Sequence, residues 1–114
     1  ILLCICFIFS LVGCNQKDIK TQSNKTLTLD KVVELSSKGE ELSWRDFEQY
    51  KSIDTGSGLY ILVYEIDETF DLWIGGASME KNPFYIRLLT KSNIDNYIDI
   101  RTDNVNEFIK SNGQ

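Results

Sequence analysis

Four short apolar segments joined by brief polar connections constrain the fold of this chain more than any other feature. The first, residues 59–66, is β-branched and aromatic, with apolar side chains on both faces until Glu65. The others follow closely along the chain, at residues 70–76, 84–89 and 97–101. Parallel strands need long crossover connections, so these short connections predict an antiparallel meander of four strands.

Apolar residues recur at helical spacing in three further segments. A helix is predicted over residues 28–39, because Thr28 is a good N-cap and Gly39 suits a left-handed C-terminal stop. A second short helix is predicted over residues 44–50, after a serine with an acidic residue three positions later. A last short helix is predicted around residues 105–109, near the C-terminus.

These patterns predict one α+β domain over residues 28–114. It consists of a four-stranded antiparallel meander with two N-terminal helices and a short C-terminal helix, packed on one face. Two short helices followed by such a meander are similar in order to the β-lactamase-inhibitor-like fold and to outer-membrane-assembly lipoproteins. The resemblance lies in element order alone, and it carries no functional residue over to this chain.

The start of the chain has the character of an export signal. Residues 1–13 are apolar apart from Ser10, which is too short to span a bilayer but typical of the apolar region of a signal peptide. The chain begins at Ile1, and we expect the basic segment of such a signal to precede it. Residues 15–27 are polar, and together with Cys14 they form a predicted flexible tether over 14–27.

The sequence LVGC at residues 11–14 resembles the lipobox of bacterial lipoproteins, in which an aliphatic residue and a small residue precede the cysteine. The resemblance implies cleavage before Cys14 and acyl chains on its thiol, and two chains anchor a protein firmly. It also implies a domain on the extracytoplasmic face of the cell membrane, like the uncharacterised domains of many small lipoproteins. Cys4 and Cys6 would leave with the signal, so we expect no disulfide.

Composition narrows the chemistry. The chain has a formal net charge of -5 and no histidine, which excludes most hydrolase triads, most zinc sites and histidine-based pH switches. Lysine and arginine are not clustered, whereas a phosphate-binding face requires clusters, so we expect no nucleic-acid partner. We expect no enzymatic activity and no cofactor or metal.

The aromatic residues are the most suggestive candidates for a site. In the 59–66 segment, Tyr60 and Tyr64 share one face of the predicted strand. Because helices are expected on only one side of the sheet, the other side would expose apolar side chains, and exposed apolar patches mark interaction sites. Tyrosine and tryptophan are favoured in such sites. We therefore predict a binding face containing Tyr60 and Tyr64, with an envelope protein as the partner.

Two alternatives stay open. In the first, the chain is a solute- or glycan-binding lipoprotein that uses Trp44 or Trp73 as a stacking platform. In the second, acidic residues such as Asp67, Glu68 and Asp71 make a small carboxylate enzyme or a calcium-binding domain, although their spacing does not match a calcium-binding loop. A deep pocket would favour the solute-binding hypothesis, and a flat aromatic face would favour binding of a protein partner.

Overall fold

The computed structural model describes residues 25–113, and the predicted signal, Cys14 and most of the predicted tether lie outside them. The elements in chain order are α1 (Leu29–Ser36), two 3₁₀ turns (Gly39–Glu41 and Trp44–Phe47), β1 (Ile53–Asp54), β2 (Tyr60–Glu65), β3 (Phe70–Gly76), β4 (Tyr85–Thr90), β5 (Asn93–Asp99) and α2 (Val105–Asn112). The fold is α+β, as predicted.

The sheet is antiparallel throughout, with its five strands in chain order. The predicted count of four strands is wrong, because a two-residue strand, β1, pairs with β2 before the first predicted strand. Such a short pairing leaves almost no periodic pattern in the sequence.

The strand register defines two faces of the sheet. The inner face carries Tyr60, Leu62, Tyr64, Phe70, Leu72, Ile74, Ile86, Leu88 and Ile98. The outer face carries Ile53, Ile61, Val63, Glu65, Asp71, Trp73, Gly75, Tyr85, Arg87, Leu89, Tyr97 and Asp99. Successive residues of a strand alternate between these two faces.

The core lies between the inner face and the helical elements. Val32 of α1 and Phe108 of α2 belong to the same buried cluster as the inner-face residues. Phe47, in the second 3₁₀ turn, lies with its ring 5.8 Å from that of Tyr64. All helical elements therefore cover one side of the sheet, which is the arrangement that an α+β layer structure requires.

The folded part begins earlier than the predicted boundary at residue 28. Leu27 is fully buried in the core. Lys25 forms a parallel bridge with Tyr50, and its carbonyl oxygen accepts a hydrogen bond of 2.9 Å from the backbone N–H of Lys51. Residues 25–27 therefore belong to the domain rather than to the tether.

Two further elements differ from their predicted bounds. The predicted helix 44–50 is a single 3₁₀ turn, Trp44–Phe47, because the chain must turn toward β1 soon after. The last strand begins at Asn93 rather than at residue 97, because Asn93 pairs with Thr90 across a two-residue turn before the ladder resumes at Tyr97. Helix α1 ends at Ser36, three residues before the predicted stop; Gly39 has the predicted left-handed backbone, with a φ of 59°, but it begins the first 3₁₀ turn.

Candidate functional site

The structure places the four aromatic residues predicted to form a binding site in different surroundings. Tyr64 and Trp44 are core residues, with exposed fractions of only 2% and 6%. Tyr60 is 43% exposed at the rim of the inner face, where its ring meets the Trp44 ring edge-on at 6.5 Å. Trp73 alone lies on the outer face, and it is partly exposed.

The prediction that Tyr60 and Tyr64 line an open face is therefore wrong, because these two residues lie on the side of the sheet that the helical elements cover. Strand β2 is apolar on both sides, so its alternation shows which residues share a face but not which face the helices cover. The second 3₁₀ turn packs its aromatic residues on the side of Tyr64, and this covers that side. The open side is the one that carries Val63 and Trp73.

The outer face is not covered by any helical element in residues 25–113. The buried core cluster and the side chains packed against it include none of the outer-face residues. Leu89 is nevertheless almost fully buried, which means that neighbouring outer-face side chains bury it themselves. The outer face is thus a layer of large side chains that pack sideways on one another.

An arginine stacked on two tyrosine rings lies at the centre of this layer. The guanidinium carbon of Arg87 is 4.0 Å from the ring centre of Tyr85 and 4.1 Å from that of Tyr97. Tyr85 precedes Arg87 by two residues on β4, and Tyr97 pairs with Leu89, two residues after it. The two rings therefore flank Arg87 from opposite directions along the strand, in cation–π contact.

Gly75 makes room for one of these rings. It pairs with Tyr85 across β3 and β4, and a Cβ atom at Gly75 would lie 2.4 Å from the Tyr85 Cζ atom. The tyrosine ring thus lies across the glycine, where any other residue would displace it. Placing an aromatic ring over a glycine in the neighbouring strand is a known way to protect the sheet at that position.

Asp99 is the register partner of Arg87, but it is engaged by a different arginine. The Arg101 side chain donates to its two carboxylate oxygens at 3.0 and 2.8 Å, and the Ile86 backbone N–H donates at 3.3 Å. Burial by itself would raise the pKa of Asp99, but these hydrogen bonds outweigh it and lower the pKa. Asp99 is therefore ionised and neutralised by Arg101.

A second polar group lies beside Trp73 on the outer face. Lys91 Nζ is 3.7 Å from Asp71 Oδ1, and burial raises the pKa of Asp71 although Lys91 opposes the shift. Asp71 Oδ1 and Trp73 Nε1 are both buried and make no hydrogen bond of ordinary length. These two polar groups therefore lie buried on the outer face without a hydrogen-bond partner among the described residues.

Of the two remaining candidate acids, Glu68 is exposed and Asp67 has a structural role. Asp67 Oδ1 accepts hydrogen bonds of 2.8 Å from the backbone N–H groups of Thr69 and Phe70, which closes the β2–β3 turn. Across residues 25–113, no three acidic or thiol side chains come together as a group able to hold a metal ion. Within the same range, no helix is long and apolar enough to cross a membrane.

Two clefts lie away from the outer-face stack. One, of about 580 Å³, is open and lined largely by charged and polar residues, and it lies at the β2–β3 turn between Lys51, Glu68 and Lys91. The other, of about 370 Å³, lies beside the second 3₁₀ turn and is lined in part by Trp44 and Tyr64. Both of these rings are buried, so the cleft offers no exposed ring face on which a sugar could stack.

Comparison with known proteins gives no relative: no protein-family model, curated protein or solved structure matches this chain. The candidate site therefore rests on the geometry of the outer face.

Proposed function

We propose that this chain is a lipid-anchored, extracytoplasmic binding module, without enzymatic activity, whose outer face binds another envelope protein. The observation that carries the proposal is the uncovered outer face, where Trp73, Tyr85 and Tyr97 surround Arg87. Tryptophan, tyrosine and arginine are the residues that contribute most often to the binding energy of protein interfaces. Of the aromatic residues that the sequence suggests for a binding site, Trp73 lies on this face beside Tyr85 and Tyr97, whereas Tyr64 and Trp44 are core residues.

Burial on the two sides of the sheet supports the same face. Most inner-face side chains are buried in the core, whereas Tyr97 is 42% exposed and Ile53 is 57% exposed on the outer side. These side chains lie on regular strands, so their positions are set by the sheet rather than by mobile loops. A cleft of about 200 Å³ lies on this face beside Ile53, Val63 and Glu65, which is smaller than an ordinary small-molecule pocket, so this aromatic surface suits a protein partner better than a small solute.

The anchor is the second part of the proposal, and Cys14 carries it. A diacylated Cys14 would hold the domain at the membrane surface without any membrane-spanning helix. The test is to follow the full chain in fractionated cells after labelling with a fatty-acid analogue. We expect Cys14→Ser to lose the label and to leave the membrane fraction; retention of both by that variant would contradict the anchor.

The binding face is tested with a matched pair of tyrosines. Tyr97 and Tyr60 are 42% and 43% exposed, but they lie on opposite sides of the sheet. The full chain is crosslinked in cells, the captured envelope protein is purified, and its affinity is measured for the parent, Tyr97→Ser and Tyr60→Ser. We expect Tyr97→Ser to weaken binding about tenfold and Tyr60→Ser to have little effect. The reverse pattern would overturn the outer face as the site.

Glycan binding is the second candidate, and the 370 Å³ cleft beside Trp44 is the observation that favours it. A sugar there would contact ring edges and the rim residues Arg45 and Glu48. Titration of the full chain with soluble cell-wall fragments, followed by NMR shifts of these rim residues, tests this candidate. Shifts at the rim with none at Tyr97 would favour the glycan over the protein partner.

A further inference from the structure

The three arginines of the chain are held in three different ways. Arg101 donates hydrogen bonds to Asp99 and to the carbonyl oxygens of Pro83 and Phe84. Arg45 is exposed on the second 3₁₀ turn. Arg87 is half-buried and fixed between two rings, but among residues 25–113 it has no carboxylate within 4.0 Å and no hydrogen-bond acceptor.

We propose that Arg87 is a receptor for a carboxylate, and that the partner presents an acidic side chain to it. This inference rests on the proposed function, because it names the chemistry that the outer face recognises. The guanidinium carbon lies over the faces of both tyrosine rings, and no residue in the range 25–113 accepts a hydrogen bond from its five N–H donors. A carboxylate is planar and accepts two parallel hydrogen bonds from such a group.

The neighbouring acids do not supply this carboxylate. Asp99 lies opposite Arg87 but binds Arg101, and Asp71 lies closer to Lys91. Glu65 is exposed at the C-terminal end of β2, two residues beyond Val63, which lies in the same cross-strand row as Arg87. A structural arginine would ordinarily take the cross-strand aspartate as its partner, and here a second arginine keeps that aspartate occupied.

Charge and shape favour a carboxylate over a phosphate. A phosphate site requires several basic side chains, whereas the nearby Lys91 and Arg101 are paired with Asp71 and Asp99. On the β3 side, the surface beside Arg87 is apolar, since Trp73 and then Val63 lie next to it across the sheet. The expected partner segment therefore carries an acidic residue next to apolar ones.

The test uses two short synthetic peptides and the full chain without its signal. One peptide alternates leucine and glutamate, and the other has glutamine at each glutamate. NMR titration follows the side-chain and backbone signals of Arg87 and Tyr97. We expect the glutamate peptide to bind about tenfold more tightly than the glutamine peptide, and this difference to vanish in Arg87→Ala.

Two further variants separate charge from geometry. Arg45→Ala removes the same charge from an exposed position on the other side of the sheet, and we expect it to bind the glutamate peptide like the parent. Arg87→Lys keeps the charge but loses the planar donor fork, so we expect it to recover only part of the discrimination. Equal losses in Arg45→Ala and Arg87→Ala would mean that net charge alone acts, which overturns the receptor.

Failure of this inference is distinguishable from failure of the proposed function. If both peptides bind equally and Tyr97→Ser weakens both, the outer face binds partners but Arg87 is no carboxylate receptor. If neither peptide shifts any outer-face signal at millimolar concentration, the receptor is overturned whatever the crosslinked partner shows. If sedimentation finds a dimer that Arg87→Ala dissociates, the carboxylate comes from a second copy, and the acidic partner is overturned.

Discussion

Tyr60 and Tyr64 lie on the same face of β2, yet their replacement should have very different effects. Tyr64 is buried against Phe47, whereas Tyr60 stands at the rim. Removing a large buried aromatic side chain costs about 3–5 kcal/mol, so we expect Tyr64→Ser to destabilise the domain by this amount. We expect Tyr60→Ser to cost about 1 kcal/mol or less. Urea unfolding of both variants measures the difference, and equal costs would contradict the assignment of Tyr64 to the core.

Ionisation of the Tyr64 hydroxyl group should make the domain less stable at alkaline pH. Burial raises its pKa to about 12, above the value of about 10 for an unfolded chain. The folded state therefore holds this proton more tightly, so its stabilising contribution is complete below pH 10 and is lost as pH rises toward 12. The loss amounts to about 2–3 kcal/mol. We expect Tyr64→Phe to show a shallower fall in unfolding free energy over this pH range.

Protonation of Asp99 should make the domain less stable at acidic pH. Its pKa is lowered, so it stabilises the fold above its unfolded pKa and loses this contribution as pH falls through the folded pKa. Asp99→Asn removes hydrogen bonds between charged groups, and we expect it to cost about 1–3 kcal/mol at pH 7. The difference from the parent should shrink at pH 3, as measured by urea unfolding at both pH values. A difference that is independent of pH would contradict the role of the carboxylate charge.

At the scale of the elements, the β3–β4 pairing links the fold to the outer-face stack through Gly75. The backbone of Gly75 is not in the left-handed region, so its conformation is open to alanine. The added Cβ, however, would overlap the Tyr85 ring. We expect Gly75→Ala to leave the sheet folded while it pushes Tyr85 off Arg87. NMR signals of Arg87 should move in this variant, and unchanged signals would show that the ring has room elsewhere.

The C-terminal helix gives a second prediction at this scale. The Asn104 side chain accepts a hydrogen bond of 3.0 Å from the backbone N–H of Glu107, which caps the first turn of α2. Replacement of such a cap by alanine costs about 1 kcal/mol, and we expect this loss for Asn104→Ala. Thermal unfolding measures it, and Asn106→Ala, an exposed change within the same helix, serves as the control.

The elements also show where sequence reasoning succeeds. Strands β2 and β3 lie within one residue of their predicted bounds, because long runs of β-branched and aromatic residues separate clearly from an acidic turn. Strand β5 starts four residues early, since Asn93 pairs with Thr90 although its strand propensity is low; Asp95 and Asn96 lie in the irregularity before the ladder resumes at Tyr97. Propensity describes a residue alone, whereas a strand at a sheet edge is decided by its neighbour.

The candidate site was harder to predict than the fold. Trp73 could be named from the sequence as an aromatic residue on a strand, but the stack around Arg87 could not. Tyr85 and Arg87 are two residues apart and so share a face, which is a visible signal. The third member, Tyr97, is placed beside Arg87 by the pairing of β4 with β5. The register of that pairing depends on the irregularity between Leu89 and Thr90. No local pattern encodes it.

At the scale of the whole molecule, the fold is independent of cysteine chemistry. The three cysteines, at positions 4, 6 and 14, all precede the described domain. We therefore expect the thermal midpoint of the domain to be the same with and without a reducing agent, and the same in Cys14→Ser. Calorimetry checks this, and a midpoint that falls on reduction would reveal an unexpected cross-link between chains.

The two tryptophans stand on opposite sides of one sheet: Trp44 is sealed in the core, where its Nε1 donates to the Lys81 carbonyl oxygen, and Trp73 lies on the open side. The molecule therefore contains two intrinsic fluorophores that respond to different events. In Trp73→Phe, the remaining emission follows global unfolding and is shielded from acrylamide. In Trp44→Phe, we expect the remaining Trp73 emission to respond also to a partner on the proposed binding face, so the two variants separate a stability signal from a binding signal.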